Sequence, residues 1–295
     1  MRLPFSTRLP PPAVSGSRLA CLLMAVAFLR TTGAGAAPAE DDFLRLWTLH
    51  RQAVATSNHM AVATACREAA GTSGNGGEPR LGRFLPAART IEGWHWLQAG
   101  CVREAAAAYD SALAAGGMPA DPLAGAADAM ARRWLSRLDR ELVVAALATY
   151  YRDHVAFPPA LAAFESWPAA RRPPLRDRQG DAWIYQLQAF RRLKLDGAQR
   201  YILYSRSVGR ETSTLAAALA LRPPATVVSF ARKGTGSPAV AEIRIGGMAA
   251  PPAIVQEGAR AHRLVFAAIG DSGRFALLSD DDFWLMALPP EGSRR

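Results

Sequence analysis

A chain of 295 residues, half of them hydrophobic and a fifth charged, has a globular composition, which excludes a disordered chain. That length suffices for a sizeable core or for two or three small domains. The formal charge is +10, carried almost wholly by arginine, with Lys194 and Lys233 the two lysines. These arginines are scattered and no basic patch interleaves with aromatics, so arginine-rich coding explains them better than nucleic acid or anionic lipid.

The amino terminus reads as an address. Arg18 precedes an apolar run, Leu19 to Leu29, that is short for a membrane span. Ala34-Gly35-Ala36 then resembles a small-residue cleavage site before the acidic Glu40-Asp41-Asp42. Residues 1–36 are therefore read as a signal peptide. Arg30 directly after the run leaves an uncleaved inner-membrane anchor as the alternative. Removing Arg2, Arg8, Arg18 and Arg30 with the leader lowers the net charge from +10 to +6.

Residues 40–120 read as a helical domain. Phe43, Leu46, Trp47, Val54 and Val62 mark an apolar helical face with an N-cap at Asp41 or Asp42. Gly71 to Pro79 is a loop. Thr90 to Leu113, with Trp94, Leu97, Gly100, Ala105, Ala108 and Tyr109, resembles a single tetratricopeptide unit, which implies a helical hairpin. Cys66 and Cys101 remain after the leader; an exported chain makes a disulfide between them plausible, and two small apolar side chains are an equal alternative.

Residues 121–221 open with Asp121-Pro122, a helix start with proline where its missing donor costs nothing. The helix runs to about His154, with Trp134, Leu138, Leu142 and Leu147 on one face. Asp139 and Glu141 are placed outside, within reach of Arg133, Arg137 and Arg140. Ala145, Leu147, Tyr150 and Tyr151 extend the apolar face, and Phe157-Pro158-Pro159 stops the helix. Asp177-Arg178-Gln179-Gly180-Asp181 is a turn, and Trp183, Tyr185 and Leu187 alternate as a strand. Tyr201 to Tyr204 is a second strand. Leu215 to Leu221 is a short helix before the linker Arg222-Pro223-Pro224.

The order Tyr150, Phe157-Pro158, Leu161, Leu175, Asp177, Gly180, Trp183, Tyr185, Tyr201, Leu203, Ser205, Gly209 resembles the globular part of the type II secretion major pseudopilin family. The likeness covers about a fifth of the chain, as an ordered set of spaced motifs. It implies a long helix carrying a small antiparallel sheet, with Tyr150, Pro158, Asp177, Gly180, Trp183, Tyr185, Tyr201 and Ser205 as structural residues. It also implies partners among pseudopilins, a secretin or a platform protein. Arg178-Gln179 replaces the family's Pro-Trp pair, and Arg210-Glu211 stand where its Asp-Gly pair would support calcium. The processed leader of the fibre-forming members is absent from the sequence, so the pattern is that of a borrowed domain.

Residues 225–290 carry six short strand patterns, TVVSFA, AVAEIRI, AIVQEGA, HRLVFAAI, RFALLS and FWLMAL, which predict a small barrel or sandwich. The order from Ala239 to Leu288 is similar to the β-domain of inner-membrane secretion components that dock on a secretin.

Few residues suggest chemistry. Gly270-Asp271-Ser272-Gly273 matches the nucleophile motif of trypsin-like proteases, but no matching histidine motif surrounds His50, His59, His95 or His154, and Asp-Ser-Gly suits a hairpin turn. His95 between Trp94 and Trp96 lacks a metal-ligand pattern. Asp280-Asp281-Asp282 lacks the calcium-loop spacing and reads as a solvated turn. No phosphate-cradling loop occurs.

The sequence thus predicts an α+β protein with no catalytic site, cofactor or metal. It would be exported to the periplasm or envelope and would act through protein contacts in machinery of the type II secretion or type IV pilus kind. Trp94, Trp96, Tyr109, Phe283 and Trp284 are the aromatic contact candidates, each better explained as core. The competing readings are an exported hydrolase with an unrecognised site, for which Ser272 and His262 are the residues to substitute, and a stand-alone envelope protein that reuses the fold.

Overall fold

The computed structural model describes residues 38–71, 80–115, 121–189, 199–222, 228–232, 239–245, 252–261 and 263–289. The leader, most of the Gly71–Pro79 loop, the Pro223-Pro224 linker and His262 lie outside them. Within this set the fold is mixed helix and antiparallel sheet, in an α+β arrangement.

Five helices come first: α1 (Pro38–Thr56), α2 (His59–Ala69), α3 (Leu85–Gln98), α4 (Val102–Ala115) and α5 (Pro122–His154). The single helix expected to carry the apolar face from Phe43 to Val62 is broken, because Ser57 adopts φ 60, a left-handed conformation that a continuing helix cannot use. Helix α1 also begins earlier than expected, so Asp41 lies in its first turn and is not its cap. The expected hairpin is α3–α4, turned at Gly100, whose φ is +79. Asp121 caps α5 by accepting from the N–H of Leu123 at 3.0 Å, and Pro122 sits in the first turn. Among the described residues no helix is long and apolar enough to cross a membrane.

Strands β1 (Ile184–Ala189) and β2 (Gln199–Tyr204) form an antiparallel pair with Tyr185 opposite Leu203 and Leu187 opposite Tyr201. The short helix α6 (Leu215–Ala220) follows. Strands β3 (Val228–Arg232), β4 (Val240–Ile245) and β5 (Ala253–Gln256) make a second sheet in sequential order. The third sheet holds β6 (Arg260–Ala261), β7 (Leu264–Ile269), β8 (Ala276–Asp280) and β9 (Phe283–Ala287).

The chain passes from the second sheet to the third through Glu257–Ala259, where Gly258 takes φ +87 and its N–H donates to Phe266 O at 2.7 Å. At the other end a bridge pairs Ser229 with Leu288. Phe230, Ile243 and Val255 of one sheet share an apolar cluster with Phe266, Leu278 and Leu285 of the other.

The third sheet is buried on both faces. Alternate residues point opposite ways. Leu278, Leu285 and Phe266 therefore face the second sheet, whereas Ala267, Leu277 and Trp284 join the helical core with Phe43, Phe84, Ile91 and Trp134. Phe43 stacks on Phe84 at 4.9 Å and on Phe275 at 6.0 Å, and Trp284 Nε1 donates to Thr90 Oγ1 at 2.6 Å. The described residues fall in one compact unit, in which the helices and the third sheet share a core.

Candidate interaction surface

The second half of α5 presents Val143, Ala146, Leu147 and Tyr150, spaced i, i+3, i+4, i+7, to one side. Leu142 and Ala145, placed on the apolar face by sequence, point away from it, and Leu142 is 58% exposed. The stripe packs on Phe164, Trp183 and Leu203. Tyr150 stacks on His154 at 4.0 Å and meets Phe164 edge-on, and Tyr201 lies between Phe157 and Tyr185.

The polar tips of these aromatics bind proline carbonyls. Tyr185 Oη donates to Pro158 O at 2.8 Å, and Trp183 Nε1 donates to Pro174 O at 2.9 Å. Prolines cannot donate, so these rigid corners offer acceptors that aromatic donors satisfy while burying their rings. Burial raises the Tyr185 hydroxyl to about 12, with further contributions from Tyr201 and Tyr150.

Asp177 fastens this unit. Its carboxylate accepts from the N–H groups of Gln179 and Asp181, each at 2.9 Å, from Ser207 Oγ at 2.7 Å, and from the Ser205 hydroxyl. Burial pushes its pKa up, but the hydroxyl and backbone donors outweigh that and hold it below the usual carboxylate value. Gly180, at φ +93, closes the turn. The eight residues Tyr150, Pro158, Asp177, Gly180, Trp183, Tyr185, Tyr201 and Ser205 thus meet in one small unit on α5.

Two features of this unit face outward. A groove of about 360 Å³ is lined by Pro159, Leu161, Glu165, Leu175, Arg176 and Tyr185, among others. Beside it, no strand among the described residues pairs with the outer edges of β1 and β2. Gln186, Leu187 and Gln188 are exposed, Leu187 at 39%. An unpaired strand edge offers backbone donors and acceptors to an incoming strand.

The remaining sequence candidates fall elsewhere. Trp94, Trp96, Tyr109, Phe283 and Trp284 are buried core. Cys66 is buried and Cys101 half-buried, both as free thiols in this structure, and burial in the core pushes the Cys66 thiol up. Ser272 Oγ donates at 2.5 Å to Glu40, a buried residue of α1, rather than to a histidine. The hairpin turn expected there is therefore also a tether for α1.

Three polar groupings were not legible. Asp282 is not solvated: it pairs with the fully buried Arg137 and with Arg133. Asp139 is likewise buried and pairs with Arg178 at 2.5 Å, not on the outside of the helix. His95 takes one ring contact from His50 Nδ1 to its Nε2 at 2.9 Å and another from His59 Nδ1 to its Nδ1 at 3.0 Å. The tautomers assign one donor to each contact. Among the described residues, no three or more His, Cys, Asp or Glu are arranged to hold a metal ion.

No protein-family model, curated protein or solved structure matches this chain.

Proposed function

We propose that this chain is a non-catalytic, exported envelope protein that works through protein–protein contacts, as a component or accessory of type II secretion or type IV pilus-like machinery. The observation that supports it best is the closure of the pseudopilin-like residues into one unit on α5. Their polar groups are spent internally, as the four donors on Asp177 illustrate. What remains outward is a groove and two strand edges that no described strand covers, the equipment of a docking module rather than a catalytic centre.

The site on the chain that meets its partner is then the β1–β2 hairpin with the adjacent groove. The sheet edges of the C-terminal β region are less open, because β3 meets β9 at Ser229–Leu288 and β5 runs on toward β6.

A crosslinked pull-down of the tagged chain from native envelopes, with partners identified by mass spectrometry, tests the reading. Recovery of pseudopilins, a secretin or a platform protein, lost in Leu187→Asp, is the expected result. Recovery of the chain alone would contradict it.

A further inference from the structure

The most organised polar feature away from the α5 unit is a groove of about 470 Å³ between α2, α3 and α4, lined by Arg67, Arg89, Glu92, Arg103, Ala108 and Ser111, among others. Glu92, at its floor, is 1% exposed. Its Oε1 accepts from Arg67 Nε at 3.1 Å and from Trp96 Nε1 at 3.1 Å, and its Oε2 accepts from Arg89 Nη1 at 2.7 Å. The Arg67 guanidinium also lies over the Trp96 ring, 4.8 Å from its centroid.

One buried carboxylate therefore holds two guanidinium groups in fixed orientations. Each uses one nitrogen on Glu92 and retains others for a ligand. Arg103, from the first turn of α4, lines the same groove and forms no ion pair among the described residues. The lining carries three arginines against Glu92 and the half-buried Glu104, a net positive site in which Glu92 already positions two of the cations, Arg67 and Arg89. Preorganised guanidinium forks favour carboxylates, because little side-chain entropy remains to be lost on binding.

The shape selects among anions. From Arg103 to Ser111 the groove follows α4 for about 12 Å at the helical rise. That accommodates about three to four extended residues, more than a single inorganic anion fills. Small side chains at Ala107, Ala108 and Ser111 keep the floor open.

We propose that this groove binds a short acidic peptide segment of a partner protein, with Arg67, Arg89 and Arg103 receiving its carboxylates. The proposal rests on the reading that the chain acts through protein contacts, but its site is separate from the β1–β2 hairpin.

The test is calorimetric titration of the purified chain, from residue 37 onward, with hexaglutamate at low ionic strength. Arg67→Gln and Arg103→Gln, both at exposed side chains, are expected to weaken binding about tenfold each. Ser111→Glu should weaken it similarly by like-charge repulsion, and Arg152→Gln, at the exposed end of α5, should leave it unchanged. Absence of hexaglutamate binding would overturn the proposal. So would equal binding by an Arg67→Gln/Arg103→Gln double variant, or inorganic phosphate displacing the peptide at matched charge concentration. Because the titration needs no envelope partner, its failure is distinguishable from failure of the pull-down.

Discussion

Arg137 of α5, 0% exposed, places its Nη1 2.7 Å from Oδ1 of Asp282, in the turn that precedes β9. The same guanidinium lies 4.4 Å from the centre of the Trp134 ring, and its Nε donates to Thr212 O at 3.0 Å. Arg133 reaches Asp282 as well, at 3.3 Å, and donates to Ser207 O. One carboxylate thereby joins the long helix, the loop after β2 and the third sheet.

Loss of that carboxylate leaves a buried cation without its counter-charge. Asp282→Asn is expected to destabilise the fold by about 3–5 kcal/mol, measured by urea unfolding. A double variant, Arg137→Met/Asp282→Leu, should recover part of the loss. Burial raises the Asp282 pKa, but the hydrogen bond and charge of Arg137, with Arg133, outweigh it and hold the carboxyl below its usual 3.8. Its contribution is therefore present above the unfolded value and is lost as pH falls through the folded one.

The histidine chain sets a second, higher pH dependence. Burial, aided by the charges of His59 and Arg51, lowers His50 to about 4, and burial with His50 and His59 lowers His95 to about 2. Burial and Arg222 lower His59 as well. The unfolded chain takes up these protons near 6.5 and the folded chain does not, so stability is full above 6.5 and declines as pH falls toward 4. For His50 the decline is on the order of 3 kcal/mol. Unfolding midpoints measured from pH 7.5 to 4.5 should fall in the wild type, and more shallowly in His50→Phe. A flat wild-type profile would refute the assignment.

Val155 ends α5 in a left-handed conformation, φ 57, with its side chain 77% exposed. A β-branched residue is strained there and buries little. Val155→Gly is expected to stabilise the protein by about 1 kcal/mol, seen as a higher thermal midpoint.

Gly93 has the opposite constraint. A Cβ at this position in α3 would lie 2.7 Å from the Tyr109 ring, itself buried against Trp134. Gly93→Ala should cost about 1–3 kcal/mol by overpacking, despite the better helix propensity of alanine. An unchanged midpoint would mean that α3 and α4 can separate freely.

Local chemistry explains what was legible. Asp121-Pro122 announces a helix start, Asp177 to Asp181 a turn, and the alternation around Tyr185 a strand, because each signal acts within a few residues. The break at Ser57 escaped notice because the apolar period continues across it. In the third sheet, LVFAAI and FWLMAL are nearly continuous apolar runs, which mark strands buried on both faces. The helical layer that covers the outer face is not nearby in sequence: Thr90 meets Trp284 across 194 positions. A comparable sequence separation hid the Arg137–Asp282 pair, so Asp282 read as solvent-exposed. His50, His59 and His95 carry no metal-like spacing, and their contact depends on how α1, α2 and α3 pack.

Photo-crosslinking groups placed singly at Gln186 and Gln188 of β1, and at the exposed Arg51 of α1, away from both proposed surfaces, test the central claim most directly. In native envelopes, the two β1 positions should crosslink to an identified secretion-machinery protein and Arg51 should not. Absence of such a product at β1, or equal yield at all three positions, would contradict the assignment of the β1–β2 hairpin as the docking surface.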